Sequence, residues 1–502
     1  MEDNSNISHR RFSGGDHTDA GNSSSNSNSS IGTATNNNNN ATLKSEKPTF
    51  SPLEIEDSTT TTSAAIDADV DVDVDVDDDG ELINPLVTHD DDVDYDDNNN
   101  DASATTTTGD HHGAGPPGSA STPQVIINII ISFVGAGLLG VPNAFSKSGW
   151  LLGSVTILTV SAFNVYAMLC LPQVQRILQK QYPNEIIQSY GDLGRICLGT
   201  KGEKLIFICL GISQAGFATA YLIFISANLN SIYNWSRFIV CIMCVPGLVG
   251  LVQFRDLKSL SPFSMLANAA NFCALSAVLF QDYEHYTPHN DTIHKWNSAG
   301  LMYVIAITIY SMEGVGLILS LKSSCKQPND FSFLLISTLT AISLFMVVFG
   351  SAGYWAFGDS TMAPITLNMA SHWSATFVKC ALCLGLYLTY PIMMFPIWTI
   401  IEKPTISNQK RFLLRSTIVC ISAIIAYAVP NFGQFLSLVG SSICTLLGFV
   451  FPSYFHLYVV GKDLPLYQKI IDSFLLVGGL SFGCLGTFQS LVAMMNGELE
   501  AE

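Results

Sequence analysis

Two glycine-rich stretches inside otherwise apolar runs carry the residues of this sequence best suited to chemistry. The first reads Phe133-Val-Gly-Ala-Gly-Leu-Leu-Gly-Val-Pro142 and the second Tyr310-Ser-Met-Glu-Gly-Val-Gly-Leu-Ile-Leu-Ser320. Aligned on their glycines, Gly135-Ala-Gly-Leu-Leu matches Gly314-Val-Gly-Leu-Ile. In lipid every backbone N–H and C=O must find a partner, so a helix broken at mid-membrane needs a reason. Freed N–H groups at the start of a half-helix, its positive dipole end, hold a carboxylate. Freed carbonyls at the end of a half-helix accept from an ammonium group. A zwitterion bridging two such breaks needs no dedicated charged side chain. The candidate ligand contacts are therefore Gly135, Ala136 and Gly137 at the first break and Ser311, Met312 and Gly314 at the second, with Tyr221 added from a third apolar run. Such glycines also serve close helix packing. For one run alone the packing reading is the stronger, and recurrence in two matching runs favours binding.

Glu313 lies beside the second break and is the only acidic residue near the centre of an apolar run. Carboxylates at that depth are costly and usually functional. Two roles stay open: exchanging a proton or contacting an ammonium group, or staying protonated as a structural hydrogen-bonding acid. Gln214, Asn268, Asn271, Thr389, Tyr390, Ser437 and Ser441 are weaker candidates, because a polar residue in such a run more often makes a helix–helix hydrogen bond. His372 and His456 fall near run ends and read as interfacial. No nucleophile–base pairing, zinc motif or phosphate loop falls inside the runs, so an enzymatic reading has no residues to stand on.

The elements that must position these residues are membrane helices. The 502 residues are 48% hydrophobic and only 13% charged, with mean hydropathy +0.33, whereas a soluble domain is about a quarter charged. The net charge of −18 is unevenly spread: residues 1–123 hold 25 acids against 4 bases, and the remainder holds 16 acids against 19 bases. Residues 1–120 are Asn, Ser, Thr and Asp-Val tracts with too little apolar surface to offset ordering, and read as a disordered acidic tail. No signal peptide is expected, since the first long apolar run starts after Pro123. The domain 121–495 follows, with expected spans 124–146, 150–171, 204–228, 238–253, 262–281, 299–321, 331–355, 374–400, 414–430, 432–458 and 473–494. With the tail in the cytosol, eleven spans put fifteen Lys and Arg on inner loops and four outside, a strong positive-inside bias. The sequons Asn234-Trp-Ser236 and Asn290-Asp-Thr292 both fall outside. No outer loop carries a cysteine, so no disulfide framework is expected there.

Several strings carry a family resemblance: Gly135-Ala-Gly-Leu-Leu-Gly-Val-Pro-Asn-Ala-Phe-Ser-Lys-Ser-Gly-Trp150, Tyr221-Leu-Ile-Phe-Ile-Ser-Ala-Asn-Leu229, Met312-Glu-Gly-Val-Gly-Leu-Ile-Leu-Ser320, Thr389-Tyr-Pro-Ile-Met-Met-Phe-Pro396 and Phe435-Leu-Ser-Leu-Val-Gly-Ser441. Over residues 121 to about 493 the chain resembles the amino acid/auxin permease family, and within it the proton-coupled amino acid transporter branch. It departs in lacking the outer cysteine pair of animal members and in having Ser320 where many members carry proline. The resemblance implies an all-α, eleven-span 5+5 inverted-repeat fold with helices 1 and 6 broken. It implies no bound cofactor, and no metal is expected from the residues themselves. It also implies H⁺-coupled carriage of amino acids, small and neutral ones by our reading, with Glu313 as the proton-coupling candidate. The expected partners are the amino acid, H⁺ and the lipid bilayer, with no nucleic acid. The rival class is an amino-acid sensor signalling through the long tail. Asp78-Asp-Gly-Glu-Leu-Ile83 fits an acidic dileucine pattern, which points to sorting adaptors on the tail and to a vacuolar or endolysosomal membrane, with the plasma membrane as the alternative.

Asn290 stands about eight residues before the next span, farther from the membrane than Asn234, and is the expected glycan acceptor of the two. Asn290→Gln should remove a glycosidase-sensitive gel shift in a eukaryotic host. Thiol labelling of Asn290→Cys from the cytosolic side would instead invert the topology.

Overall fold

The computed structural model describes residues 118–254, 257–284, 293–369, 372–402, 405–429 and 431–499. The acidic tail with its 78–83 pattern and the Asn290 sequon lie outside the described residues. Among those residues the chain is helical throughout, with one isolated bridge between Ala120 and Cys325.

The chain enters at α1 (Thr122–Phe133), started by Pro123 in the first turn and by Gln124 Oε1, which accepts from the Ser121 N–H at 2.8 Å. A 3₁₀ turn, Ala136–Gly140, follows and leads into α2 (Val141–Ser148), bent by 47° from α1. Pro142 sits in the first turn of α2, where its missing N–H leaves no ladder bond unmade. Then come α3 (Trp150–Gln181) and α4 (Tyr190–Tyr233). The third run was expected to start near 204; the helix reaches back to Tyr190 because Ser189 and Asp192 cap it reciprocally, and it bends at Gly199, whose φ of 73° only glycine adopts freely. Asn234 ends α4 in the left-handed conformation and is exposed.

Next are α5 (Arg237–Leu251), only 15 residues long, and α6 (Leu257–Glu284). The second broken helix is α7 (Leu301–Ser311), a break at 312–314, a 3₁₀ turn Val315–Leu317 and α8 (Ile318–Ser324). Single helices α9 (Phe331–Phe357), α10 (Trp373–Ile401) and α11 (Asn408–Ala428) follow. α12 (Phe432–Val439) runs through π-helical turns at Gly440–Cys444 and Leu446–Val450 into α13 (Phe451–Val460), and α14 (Leu466–Leu499) closes the chain. Each of the eleven apolar runs thus falls on helix. Eight helices among the described residues are long and apolar enough to cross a membrane, and the bent pair α1–α2 makes a ninth.

Two sets of contacts hold the ends where the chain enters. Backbone bonds from Gly118 and Ala120 to the Ser323 and Ser324 carbonyls, 3.0 and 2.9 Å, tie the start of α1 to the end of α8. Arg415 of α11 grips Glu402 with two nitrogens, donates to the Val252 and Phe254 carbonyls after α5, and lies 5.2 Å from the Trp398 ring centroid. Its side chain is 4% exposed. Arg415→Met therefore strands Glu402 beside Arg411 alone and leaves two carbonyls unpaired. Because Glu402 keeps Arg411, the cost should fall below the roughly 3–5 kcal/mol of a fully broken buried pair, and thermal unfolding in detergent should show it as a fall in midpoint.

Candidate functional site

The two breaks face one another. A Cβ built on Gly137 would lie 2.7 Å from Ser311 Oγ and 2.9 Å from the Tyr310 ring, and one built on Gly314 would strike the Phe133 ring. Each break therefore needs a glycine where the other helix crosses it. The first N–H groups of a helical segment have no intrahelical acceptor. Those of Ala136–Gly140 open beside the last carbonyls of α7, so unlike dipole ends meet across the gap.

A cavity of about 510 Å³ opens around this crossing. Gly135, Ala136 and Gly137 line it from the first break, Ser311, Glu313 and Gly314 from the second, and Tyr221 from α4. Gly135 looks into open space, since no atom lies within 4 Å of its built Cβ. Met312 is the exception among the expected contacts: its side chain is fully buried and absent from the lining, while its carbonyl accepts from Asn164 Nδ2 of α3 at 3.3 Å. Of the weaker candidates, Gln214, Asn268, Asn271 and Thr389 line the cavity. Tyr390 instead bonds Ser422, and Ser437 bonds Ser490, across helix pairs. Gln214 Oε1, Tyr310 Oη and Ser311 Oγ are buried polar atoms with no partner among the described residues. Phe217 of α4 packs edge-on to Tyr310 at 4.8 Å and narrows the chamber.

The lining continues to Ser189 and Tyr190 at the start of α4, Ser320 in α8 and Ile400 at the end of α10, all at the end where the chain enters. The opposite ends are bolted. Asn143 of α2 donates to the Thr361 carbonyl at 2.7 Å and accepts from Tyr303 Oη of α7 at 2.9 Å, while Thr366 donates to Asn228 of α4 at 2.9 Å. The chamber is thus sealed on one side by polar bonds and extends toward the other. Glu313 is the only Asp, Glu, Lys, Arg or His in the lining, and its carboxylate has no hydrogen bond or ion pair among the described residues.

His456, read as interfacial from its place near a run end, is 1% exposed, with Nδ1 2.7 Å from Asp472 Oδ2 of α14. Position along the helix set that expectation, but α3 and α14 flank α13 and cover its end. Asn164, Asn143, Tyr303 and Phe217 gave no signal in the sequence, since each acts through a partner on a distant helix.

Residues 118–496 match the family described as transmembrane amino acid transporter protein. Amino acid transporter ANT1 of Arabidopsis thaliana is 36% identical over 401 residues, covering 74% of this chain and 93% of that protein. Vacuolar amino acid transporter 4 of Saccharomyces cerevisiae is 26% identical, covering 74% of this chain and 58% of its own. The proton-coupled amino acid transporter-like protein pathetic of Drosophila melanogaster is also 26% identical, over 74% and 85%.

The two glycines should answer differently to enlargement. Gly137→Val forces its methyl groups into Ser311 and Tyr310; such overpacking costs roughly 1–3 kcal/mol and should lower the unfolding midpoint in detergent. Gly135→Ala adds its methyl to open cavity, so the variant should fold normally and lose ligand affinity in a direct binding assay.

Proposed function

Because the chain belongs to the transmembrane amino acid transporter family, we propose that this multi-pass membrane protein is an H⁺-coupled carrier of small neutral amino acids. It alternates between the chamber described above, open toward the entry end, and a state open at the Asn143 end. The proposed frame is eleven spans, formed by adding the short α5 and the helix α6 to the nine, as two inverted five-helix halves plus one further helix. Occurrence of the same glycine break in the first helix of each half supports it. The observation that carries the functional reading is Glu313: a carboxylate without a cation, at a helix break, in the wall of the chamber of about 510 Å³ around the crossing.

The proposed substrate lies across the crossing, its carboxylate on the first N–H groups after Gly135 and its ammonium on the carbonyls ending α7. A charged substrate side chain would find no counter-charge in the lining other than Glu313, which supports neutral substrates. Proton binding at Glu313 removes the uncompensated charge before the chamber closes, and release on the other side restores it, so proton and substrate cross together. The cytosolic placement of the tail rests on the positive-inside bias. The vacuolar membrane is favoured by the 78–83 pattern and by the relative named as vacuolar in yeast.

Purified protein in proteoliposomes should accumulate alanine or a similar neutral amino acid only under a pH gradient. Each coupled proton contributes a factor of about ten per pH unit. Glu313→Gln, isosteric and unable to release a proton, should lose roughly that factor in accumulation while retaining measurable substrate binding. Wild-type pH dependence in the Gln variant would leave Glu313 a structural role only.

A further inference from the structure

Two carboxylates at the entry end, Glu402 largely covered and Asp472 fully buried, are neutralised in different ways. Glu402 meets two arginines, Arg411 and Arg415, which stay charged at any physiological pH. Asp472 is fully buried, and no arginine or lysine among the described residues reaches it. Its Oδ1 accepts from Tyr166 Oη at 2.9 Å, and its Oδ2 lies 2.7 Å from His456 Nδ1. A proton must therefore do for Asp472 what arginine does for Glu402.

The count is short. With Asp472 ionised and His456 neutral, the buried pair carries one uncompensated negative charge. One further proton makes it an imidazolium–carboxylate pair of zero net charge, and burial strongly favours the neutral sum. The atom that would take this proton is also identifiable. With Nδ1–H given to Asp472, the lone pair of His456 is on Nε2, a buried atom with no partner among the described residues. Among the described residues no further ion pair reaches either group; the nearest charge on the same helix as Asp472 is Lys469, three residues earlier. From α3 the neighbours are Tyr166, edge-on to the imidazole, and Cys170, whose sulfur lies within 4.8 Å of the pair's ligand atoms. From α4, Tyr190 packs on Phe455 and donates to the Leu447 carbonyl. On its own helix His456 is flanked by Tyr454 and Tyr458.

The pair is also wired to the chamber by a single helix. A Cβ at Gly448, in the π-helical segment, would lie 3.9 Å from Glu313 Oε2. His456 follows eight residues on, about 12 Å at helical rise. Short π segments recur at functional sites. We propose that His456 and Asp472 form a second proton-binding site, separate from Glu313 and its cavity, that holds one proton among α3, α13 and α14. The proton arrives from water at His456 Nε2 while Nδ1–H remains on Asp472, and release reverses the step. Proton binding stands by itself; its use in driving transport rests on the proton-coupled reading above.

The test uses the full chain with ¹⁵N-labelled histidine, His456→Gln identifying the resonance. His456→Lys also removes that signal and keeps Asp472 neutralised if the Gln variant fails to fold. The His456 ring should take up one proton across a pH titration, and Asp472→Asn should displace its midpoint. A ring that stays neutral throughout, or a midpoint unmoved in Asp472→Asn, overturns the site, as does one tightly bound zinc per chain in purified protein. In proteoliposomes His456→Lys separates charge pairing from proton exchange. It should fold with near wild-type thermal stability yet accumulate roughly tenfold less substrate per pH unit of gradient, the share of one coupled proton. Full wild-type pH dependence in the Lys variant would overturn the coupling role. Absence of gradient-driven uptake by the wild type would defeat the proposed function and leave the histidine titration to decide the proton site alone.

Discussion

The rest of the structure depends on two broken helices that cross where each offers only a glycine to the side chains of the other. Gly137 lies against Ser311 and Gly314 against Phe133, an approach that a β-carbon at either glycine would prevent. The approach brings backbone donors of one half-helix beside backbone acceptors of the other, and the chamber is the space left around that meeting. The surrounding helices then serve the crossing. α3 takes the carbonyl stranded at Met312 through Asn164, α4 supplies the aromatic wall, and α10 packs along α4 to close the far side.

Charge is handled by separate devices within one fold. Arg415 and Arg411 hold Glu402 permanently, a bidentate grip that also ties α10 and α11 to the end of α5. Asp472 relies on an imidazole and a phenol. Glu313 relies on neither. A fixed pair of the first kind stabilises a joint, whereas groups of the other two kinds depend on a proton for neutrality. The fold thus keeps its rigid electrostatics at the joint of α10 and α11, and its variable electrostatics at the crossing and at the entry end of the helix that touches it.

Much of this was legible in the sequence because it is local. Helix breaks come from glycine and proline within a few residues, and hydropathy finds the helices that carry them. Glu313 stands out by being alone. What stayed hidden is what depends on rotation about a helix axis. Nothing in the string around Asn143 says that its amide bridges Tyr303 and Thr361, residues some 160 and 218 positions away. His456 shows the same limit in reverse: closeness to a helix end suggested exposure, and only the packing of α3 and α14 around α13 reveals burial. Met312 sits in the motif yet faces away from the chamber, since a break turns successive residues to different sides.

The glycine crossing also constrains how members of such a lineage can diverge. Positions whose β-carbon would collide with the opposite helix resist enlargement, so on the proposed reading the part of the chamber assigned to the main-chain atoms of a substrate is the least free to vary. Variation is left to the unbroken walls, at Gln214, Phe217 and Tyr221 on α4, Asn268 and Asn271 on α6, and Thr389 and Met393 on α10. On that reading, recognition of what all substrates share and discrimination among them would fall to different helices, and one could evolve without disturbing the other.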